Sequence, residues 1–316
     1  MPVVVTGGAG FIGSHLLERL ARDGVEAICL DNFDDFYSPE VKRANIAPLL
    51  EKKAISLIEA DICDAQAVGD CLKRFRPEAI VHLAARPGVR QSVQVPLVYE
   101  RINAFGTLTL LEEARKAGIS KFLFASSSSV YGGSEKVPFS EEDTCDRPLS
   151  PYAASKKSAE AYAYSFHHLY GMRLTVLRIF TAYGPRQRPE MAIHKFARGI
   201  MEGKEVPVFG DGSSGRDYTY VDDVVEGIVS ALDKGFDFEV INLGDSRVVL
   251  LRDLIRLLEE ALGKKARIRR EEQSSADPPL TYADIEKARR LLGYRPRVSI
   301  EEGIGKFVEW LRKNPR

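Results

Sequence analysis

The chain has no Cys-x-x-Cys pair, no excess of either charge and no apolar run long enough to span a bilayer. Its four cysteines, Cys29, Cys63, Cys71 and Cys145, lie far apart. That excludes a zinc ribbon and a thioredoxin-type site, and suits a reducing compartment. Lys plus Arg equals Asp plus Glu at 45 each, with no long block of like charge. Such a balance argues against a nucleic-acid partner and against a membrane surface. No internal repeat and no low-complexity linker interrupts the sequence. The opening Met1-Pro-Val-Val-Val-Thr-Gly7 reads as a short strand running into glycine, not as a signal peptide or a membrane span.

What is present is a chain of 316 residues that are 44% hydrophobic, enough to bury a large core in one large or two medium domains. The expectation is a soluble, cytoplasmic α/β protein. Apolar runs at 2–5, 27–30, 55–58, 79–82 and 122–125 alternate with amphipathic stretches at 11–22, 39–51, 65–74 and 96–117. Strands rich in β-branched residues, alternating with helices, predict a doubly wound parallel sheet covered on both faces.

The first strand runs into Thr6-Gly-Gly-Ala-Gly-Phe-Ile-Gly13 and then into a helix. Gly7, Gly10 and Gly13 fit Gly-x-x-Gly-x-x-Gly; Gly8, Gly10 and Gly13 also satisfy Gly-x-Gly-x-x-Gly. Glycines are needed where a pyrophosphate must approach backbone N–H groups at a helix N-terminus. Asp31, with Asn32 behind it, ends the second strand at the distance where a carboxylate accepts the ribose hydroxyls of an adenosine and repels a 2′-phosphate. NAD is therefore expected over NADP. Asp61-Ile62, after the third strand, suits either the adenine edge or the N-cap of the next helix. His82 reads as a packed strand-end histidine.

Ser150-Pro-Tyr-Ala-Ala-Ser-Lys156 places Tyr152 and Lys156 one helical turn apart on one face. A phenol of pKa ~10 is a poor base at neutral pH. An ammonium ~4 Å away at an effective dielectric of ~20 contributes up to ~4 kcal/mol, enough to bring the phenol down by up to ~3. A tyrosine so tuned exchanges a proton with an alcohol near pH 7. Alone, the spacing is equally that of a solvated helix face.

In company with the other motifs, it makes the chain resemble an extended short-chain dehydrogenase/reductase of the NAD-dependent nucleotide-sugar epimerase/dehydratase group. The resemblance is carried by residues 6–13, 31–32, 82–85, Asn103, 124–132, 152–156 and 210–223, which spans most of the chain. It implies a Rossmann sheet in 1–179, with 236–260 returning to it, and a smaller nucleotide-sugar-binding part in 180–235 and 261–316. It implies NAD held by Gly7, Gly10, Phe11, Ile12, Gly13, Asp31, Asn32, Asp61, Ile62, Leu83, Ala84, Ala85, Asn103, Ser126, Tyr152 and Lys156. The implied catalytic set is Ser127, Tyr152 and Lys156, and the implied assembly is a homodimer through 96–117 and 152–170.

The serine run Ser126-Ser-Ser-Ser129 separates the group's reactions. Its 4,6-dehydratases carry Asp-Glu where this chain has Ser128 and Ser129, and its UDP-glucuronate decarboxylases carry Glu at the second position. A hydroxyl cannot replace a carboxylic acid as proton shuttle, because its pKa is far too high. A 4-epimerase of a UDP-sugar, working through a 4-keto intermediate, is what remains. The bland alternative for the run is a flexible turn.

Substrate contacts implied by the resemblance are Pro87, Gly88, Arg90, Ser127, Ser128, Thr181, Arg188, Met191, Val208, Phe209, Arg216 and Asp277. Arg216 is expected on the diphosphate, with a surface salt bridge to Asp217 as the alternative. Asp277 resembles the acid that meets the nucleotide ribose; Ser274 replaces a family arginine. Arg90, Arg186 and Arg188, with Thr181 in place of the neutral-sugar epimerases' Asn, favour UDP-glucuronate and UDP-galacturonate over UDP-glucose. For Arg90 and Arg186, a role on phosphates or surface acids is equally open. UDP-glucose 4-epimerisation is the alternative reaction, and a catalytically idle NAD-binding scaffold the alternative class.

Overall fold

The computed structural model describes residues 2–272 and 279–314. Asp277 and Ser274 lie outside the described residues. Thirteen strands are found among them: β1 (Val3–Thr6), β2 (Ala27–Asp31), β3 (Ile55–Glu59), β4 (Ala79–His82), β5 (Lys121–Ser127), β6 (Arg173–Ile179), β7 (Thr181–Tyr183), β8 (Glu205–Phe209), β9 (Gly215–Tyr220), β10 (Phe238–Leu243), β11 (Val248–Leu250), β12 (Arg267–Glu271) and β13 (Leu280–Thr281).

Seven of them form one parallel sheet in the order β3-β2-β1-β4-β5-β6-β10. Its strands alternate sides. Val3 and Val5 of β1 join one core and Val4 the other; in β2, Cys29 and Leu30 divide the same way. Burial on both faces is why these runs read as continuously apolar. The chain reverses its direction of winding between β1 and β4, and such a switch point opens a crevice beyond the strands' C-terminal ends.

Two of the predicted helices match the structure at both ends, Phe11–Arg22 and Pro39–Glu51. Ala65–Phe75 is capped by Asp64, whose carboxylate accepts the N–H groups of Gln66 and Ala67. Asp61 is therefore not that helix's cap; it accepts the Cys63 N–H at 2.8 Å. The stretch 96–117 is not one α-helix. It runs as Pro96–Tyr99, a π-helical turn at Glu100–Phe105, and Gly106–Lys116. From the helix that follows, the Thr107 hydroxyl donates back to the Asn103 carbonyl of the turn at 2.5 Å. Such widened turns recur at functional sites, and this one brings Ile102 into the crevice.

The helix Pro151–Tyr170 starts at Ser150, whose Oγ accepts the Ala153 N–H at 3.2 Å, with proline in its first turn. It stops at Gly171, at φ 65°. Losing the serine cap would cost ~1 kcal/mol.

The remainder folds around β9, which pairs with β11 antiparallel and with β7 and β13 in parallel, beside a separate β8–β12 pair. The return of 236–260 to the main sheet is shorter than expected. β10 joins it, but β11 pairs with β9, and Leu251–Leu262 packs against the helix Ala192–Glu202. No helix among the described residues is long and apolar enough to cross a membrane.

Candidate active site

A cleft of about 950 Å³ opens at the switch point. Gly7, Gly10, Phe11, Ile12, Gly13, Asp31, Asn32, Asp61, Ile62, Leu83, Ala84 and Ala85, all predicted from the sequence, line it. Two glycines show why no side chain fits. A Cβ on Gly13 would lie 2.2 Å from the Gly7 carbonyl oxygen, and one on Gly7 2.7 Å from the Ala84 nitrogen. Gly10 caps Phe11–Arg22 with no side chain, and the first turn carries no acid. Its N–H groups are thus left to an anion, as a pyrophosphate requires. This donor set fits NAD.

Asp31 is buried and accepts the N–H groups of Ala9 at 3.1 Å and Phe33 at 2.9 Å. It therefore ties the glycine loop to the turn after β2 as well as facing the cleft. Burial pushes its carboxyl pKa up, against those two N–H groups and Lys42. His82 is a packed residue as expected, bonded to Thr6 at 2.7 Å and Thr107 at 2.9 Å, and burial drives its pKa down to about 3.

The sequence reading missed one wall of this cleft: Asp34, Phe36, Tyr37, Lys42 and Arg86. Arg86 reaches across from the β4 loop to Asp34 at 2.6 Å and lies over the Phe36 ring. Lys42 donates to the Asp34 carbonyl. No spacing signal marks them, because the contact joins loops 52 residues apart.

Two predicted cofactor residues face elsewhere. The Ser126 hydroxyl donates to Glu160 at 2.6 Å, and Glu160 in turn holds Arg178 through two bonds at 3.0 and 2.9 Å. A buried ion pair needs such extra hydrogen bonds to offset its desolvation. Asn103 spends its amide on the backbone of Arg86, at 2.7 and 3.0 Å, and on Ser155 at 3.0 Å. It shapes the cleft's loop.

The expected catalytic residues sit at the end of β5 and the start of the helix Pro151–Tyr170. The Ser127 hydroxyl stands near enough to the Tyr152 phenol to hold its pKa down, and Ser127 Oγ accepts the Ser129 N–H at 3.2 Å. Lys156 Nζ donates to the Ala125 carbonyl at 2.8 Å. The electrostatics differ from the expectation drawn from spacing. Burial raises the Tyr152 pKa, and what opposes it is the Ser127 hydroxyl and then the charge of Arg188. Lys156 is itself driven down to about 7 by burial, against the pull of Glu160. Desolvation penalises both charged forms, so burial favours the neutral phenol and the neutral amine.

A second cleft, about 1540 Å³, adjoins the first and shares Phe36 and Arg188 with it. Gly88, Arg90, Thr181, Met191, Phe209 and Arg216 line it, as expected, and Ser128 lines a side chamber with Thr181 and Arg216. Pro87 lies instead on the cofactor cleft. Val208 is buried in the core, because side chains alternate along β8 and only Pro207 and Phe209 can face the cleft. Arg90 lies over the Phe209 ring at 3.7 Å. Asp217 does not pair with Arg216. It is buried and accepts the N–H groups of Asp245, Ser246 and Ala283. Arg188 Nε donates to Glu190 at 2.6 Å. Arg186 is not in the cleft; it forks onto Glu18 at 2.9 and 2.8 Å.

Comparison with known proteins agrees with this geometry. A family model described as GDP-mannose 4,6 dehydratase matches residues 4–307. The chain is 41% identical over 312 residues to the UDP-glucuronate 4-epimerase of Thermodesulfobacterium geofontis, covering 98% of this chain and 96% of that one. The Bacillus cereus UDP-glucuronic acid 4-epimerase, solved with UDP-glucuronic acid and NAD, superposes with TM-score 0.93 at 36% identity over 99% of both chains. The dTDP-glucose 4,6-dehydratase DesIV of Streptomyces venezuelae, solved with NAD, also reaches 0.93, at 33% identity over 99% and 98%. The backbone alone therefore does not choose the reaction.

Proposed function

The chain belongs to this family of extended, NAD-dependent short-chain dehydrogenase/reductases acting on nucleotide sugars, and from that premise we propose that it interconverts UDP-glucuronate and UDP-galacturonate by inversion at C4. The observation that carries the reaction type is the run of hydroxyls at Ser127, Ser128 and Ser129 where a dehydratase needs carboxyls, with Ser127 beside Tyr152 and Lys156 one turn on. When bound, NAD takes up the C4 hydride and gives it back.

The residues of this chain handle the proton and the orientation. Tyr152 removes the proton of the C4 hydroxyl and later returns it, while Ser127 holds that oxygen. Ionised Lys156 favours the phenolate. The 4-keto sugar turns over between the two hydride transfers, for which the wide second cleft leaves room.

A uronate poses a further demand. Its 4-keto form is a β-keto acid, which loses CO₂ when the carboxylate bond aligns with the carbonyl π system. Arg188 stands where the two clefts meet, with Thr181 on the same wall. A guanidinium there pins a carboxylate out of that alignment. Arg216 is assigned to the diphosphate.

The test compares kcat/KM for UDP-glucuronate and UDP-glucose in the parent and in Arg188→Ala. A charge-assisted contact is worth ~1.5–3 kcal/mol, or ~10- to 150-fold. The preference should fall by that factor and decarboxylated pentose should appear. Equal or better use of UDP-glucose by the parent makes it a UDP-glucose 4-epimerase instead.

The division proposed for the chain is a cofactor part, 1–179 with β10, and a nucleotide-sugar part holding the rest. We assign it to the cytoplasm, a reading supported by four cysteines that stand as free thiols. A homodimer is supported by apolar side chains exposed on the elements expected to pair: Leu97 at 82%, Phe105 at 52% and Tyr164 at 55%. Sedimentation velocity decides whether two chains travel together.

A further inference from the structure

Arg186 stands at φ 63°, a left-handed conformation that a side-chain-bearing residue adopts at a cost and glycine adopts freely. An arginine in that conformation points to a use for its side chain. Its two Nη atoms fork onto the Glu18 carboxylate at 2.9 and 2.8 Å, with the arginine side chain only 14% exposed. From the same helix, His15 Nε2 lies 3.0 Å from the Pro185 carbonyl oxygen. The turn 184–188 is thus bolted to Phe11–Arg22, the helix whose N-terminus faces the cofactor cleft.

The next two residues leave in different directions. Gln187 is buried, its amide donating to the Ala182 carbonyl at 3.3 Å and its own carbonyl bonded by His194 at 2.6 Å. Arg188 then emerges into both clefts. A long side chain can aim a guanidinium only as well as its backbone is held, and misplacement by about 1 Å can cost a reaction ~100-fold.

We propose that the Arg186–Glu18 pair is a positioning device for substrate specificity: it fixes the turn that aims Arg188 at the substrate's carboxylate. This rests on the uronate reading of Arg188. Neither Arg186 nor Glu18 lines the clefts described above. The pair therefore acts through Arg188, and it couples the cofactor's helix to the sugar's acid group.

The experiment uses NAD-loaded enzyme carrying Arg186→Gly, Glu18→Gln, Arg186→Lys or Arg188→Ala. Calorimetry gives Kd for UDP and for UDP-glucuronate, and anion-exchange analysis measures pentose formed by decarboxylation. Glycine is at ease at φ 63°, so Arg186→Gly removes the anchor without adding backbone strain. The expected result is UDP affinity within twofold of the parent, UDP-glucuronate bound about tenfold more weakly and a larger pentose fraction. Glu18→Gln should do the same more mildly, and Arg186→Lys should recover part of the loss. If Arg188→Ala loses the uronate while Arg186→Gly and Glu18→Gln behave as the parent, the anchor is wrong and the uronate reading stands. If Arg188→Ala also behaves as the parent, the uronate reading fails and takes the anchor with it. Equal loss of UDP and UDP-glucuronate in both anchor variants marks general damage and overturns the specificity role.

Discussion

Lys156 should make the cofactor-stripped protein less stable, and the effect should depend on pH in a definite way. Its side chain is 3% exposed, and burial lowers its pKa from 10.5 to about 7. At ~1.4 kcal/mol per tenfold, holding it charged in the fold costs on the order of 5 kcal/mol relative to the unfolded chain. The folded protein binds the proton less tightly than the unfolded one, so stability rises with pH between about 7 and 10.5. Below pH 7 the penalty is present in full; above 10.5 it has gone. Lys156→Met removes the ammonium, keeps the apolar stem and leaves the Ala125 carbonyl without its donor. That orphaned acceptor costs ~1–3 kcal/mol at any pH. The net change is then stabilising by a few kcal/mol at pH 6, and destabilising at pH 10, where about half a unit of the penalty, under ~1 kcal/mol, remains. For a chain of this size the gain at pH 6 is several degrees in Tm. Differential scanning calorimetry on stripped parent and variant at the two pH values provides the assay. A variant that melts below the parent by the same amount at both would show that Lys156 carries its charge without cost, and would refute the reasoning.

Tyr152→Phe keeps the ring and its edge contact with Tyr99 but removes the base, so kcat should fall by at least ~10²–10⁴-fold with NAD still bound; activity within a few-fold of the parent sinks the assignment. NADP should bind stripped protein at least tenfold more weakly than NAD, because the Asp31 carboxylate faces the extra phosphate; a titration showing equal affinity removes Asp31 from the ribose. Asp245 is pushed up to about 6 by burial and by Asp217 and Asp223. The folded state therefore holds its proton more tightly than the unfolded state, and stability is lost as pH rises from about 4 to 6. Asp245→Asn should raise Tm at pH 7.5 and leave it unchanged near pH 3.5, which thermal melts at both values would test.

Much of this protein was determined by the sequence alone, wherever the signal is local and periodic. The runs of β1, β2 and β4 read as apolar because both faces of the sheet are covered, and Gly10 and Gly13 are required by backbone of Gly7 and Gly8 a few residues before them. Tyr152 and Lys156 share a face because a helix turns once in four residues. The serines at 128 and 129 cannot serve as a carboxyl shuttle, and their identity alone decides that.

Only the tertiary structure decided what depends on neighbours distant in the chain. Arg186 and Arg188 are two residues apart and alike in sequence, yet one forks onto a helix 168 residues earlier and the other enters the clefts, because φ at Arg186 turns the chain between them. Ser126 and Ser127 are likewise adjacent, and strand alternation sends one to Glu160 and the other to the opposite side, where it meets Ser129. The ionisation balance also comes from the fold. Helical spacing predicts an attraction between ammonium and phenol, but the dominant influence on both groups is desolvation by the elements packed over them, with Ser127 and Arg188 acting on the phenol and Glu160 on the ammonium.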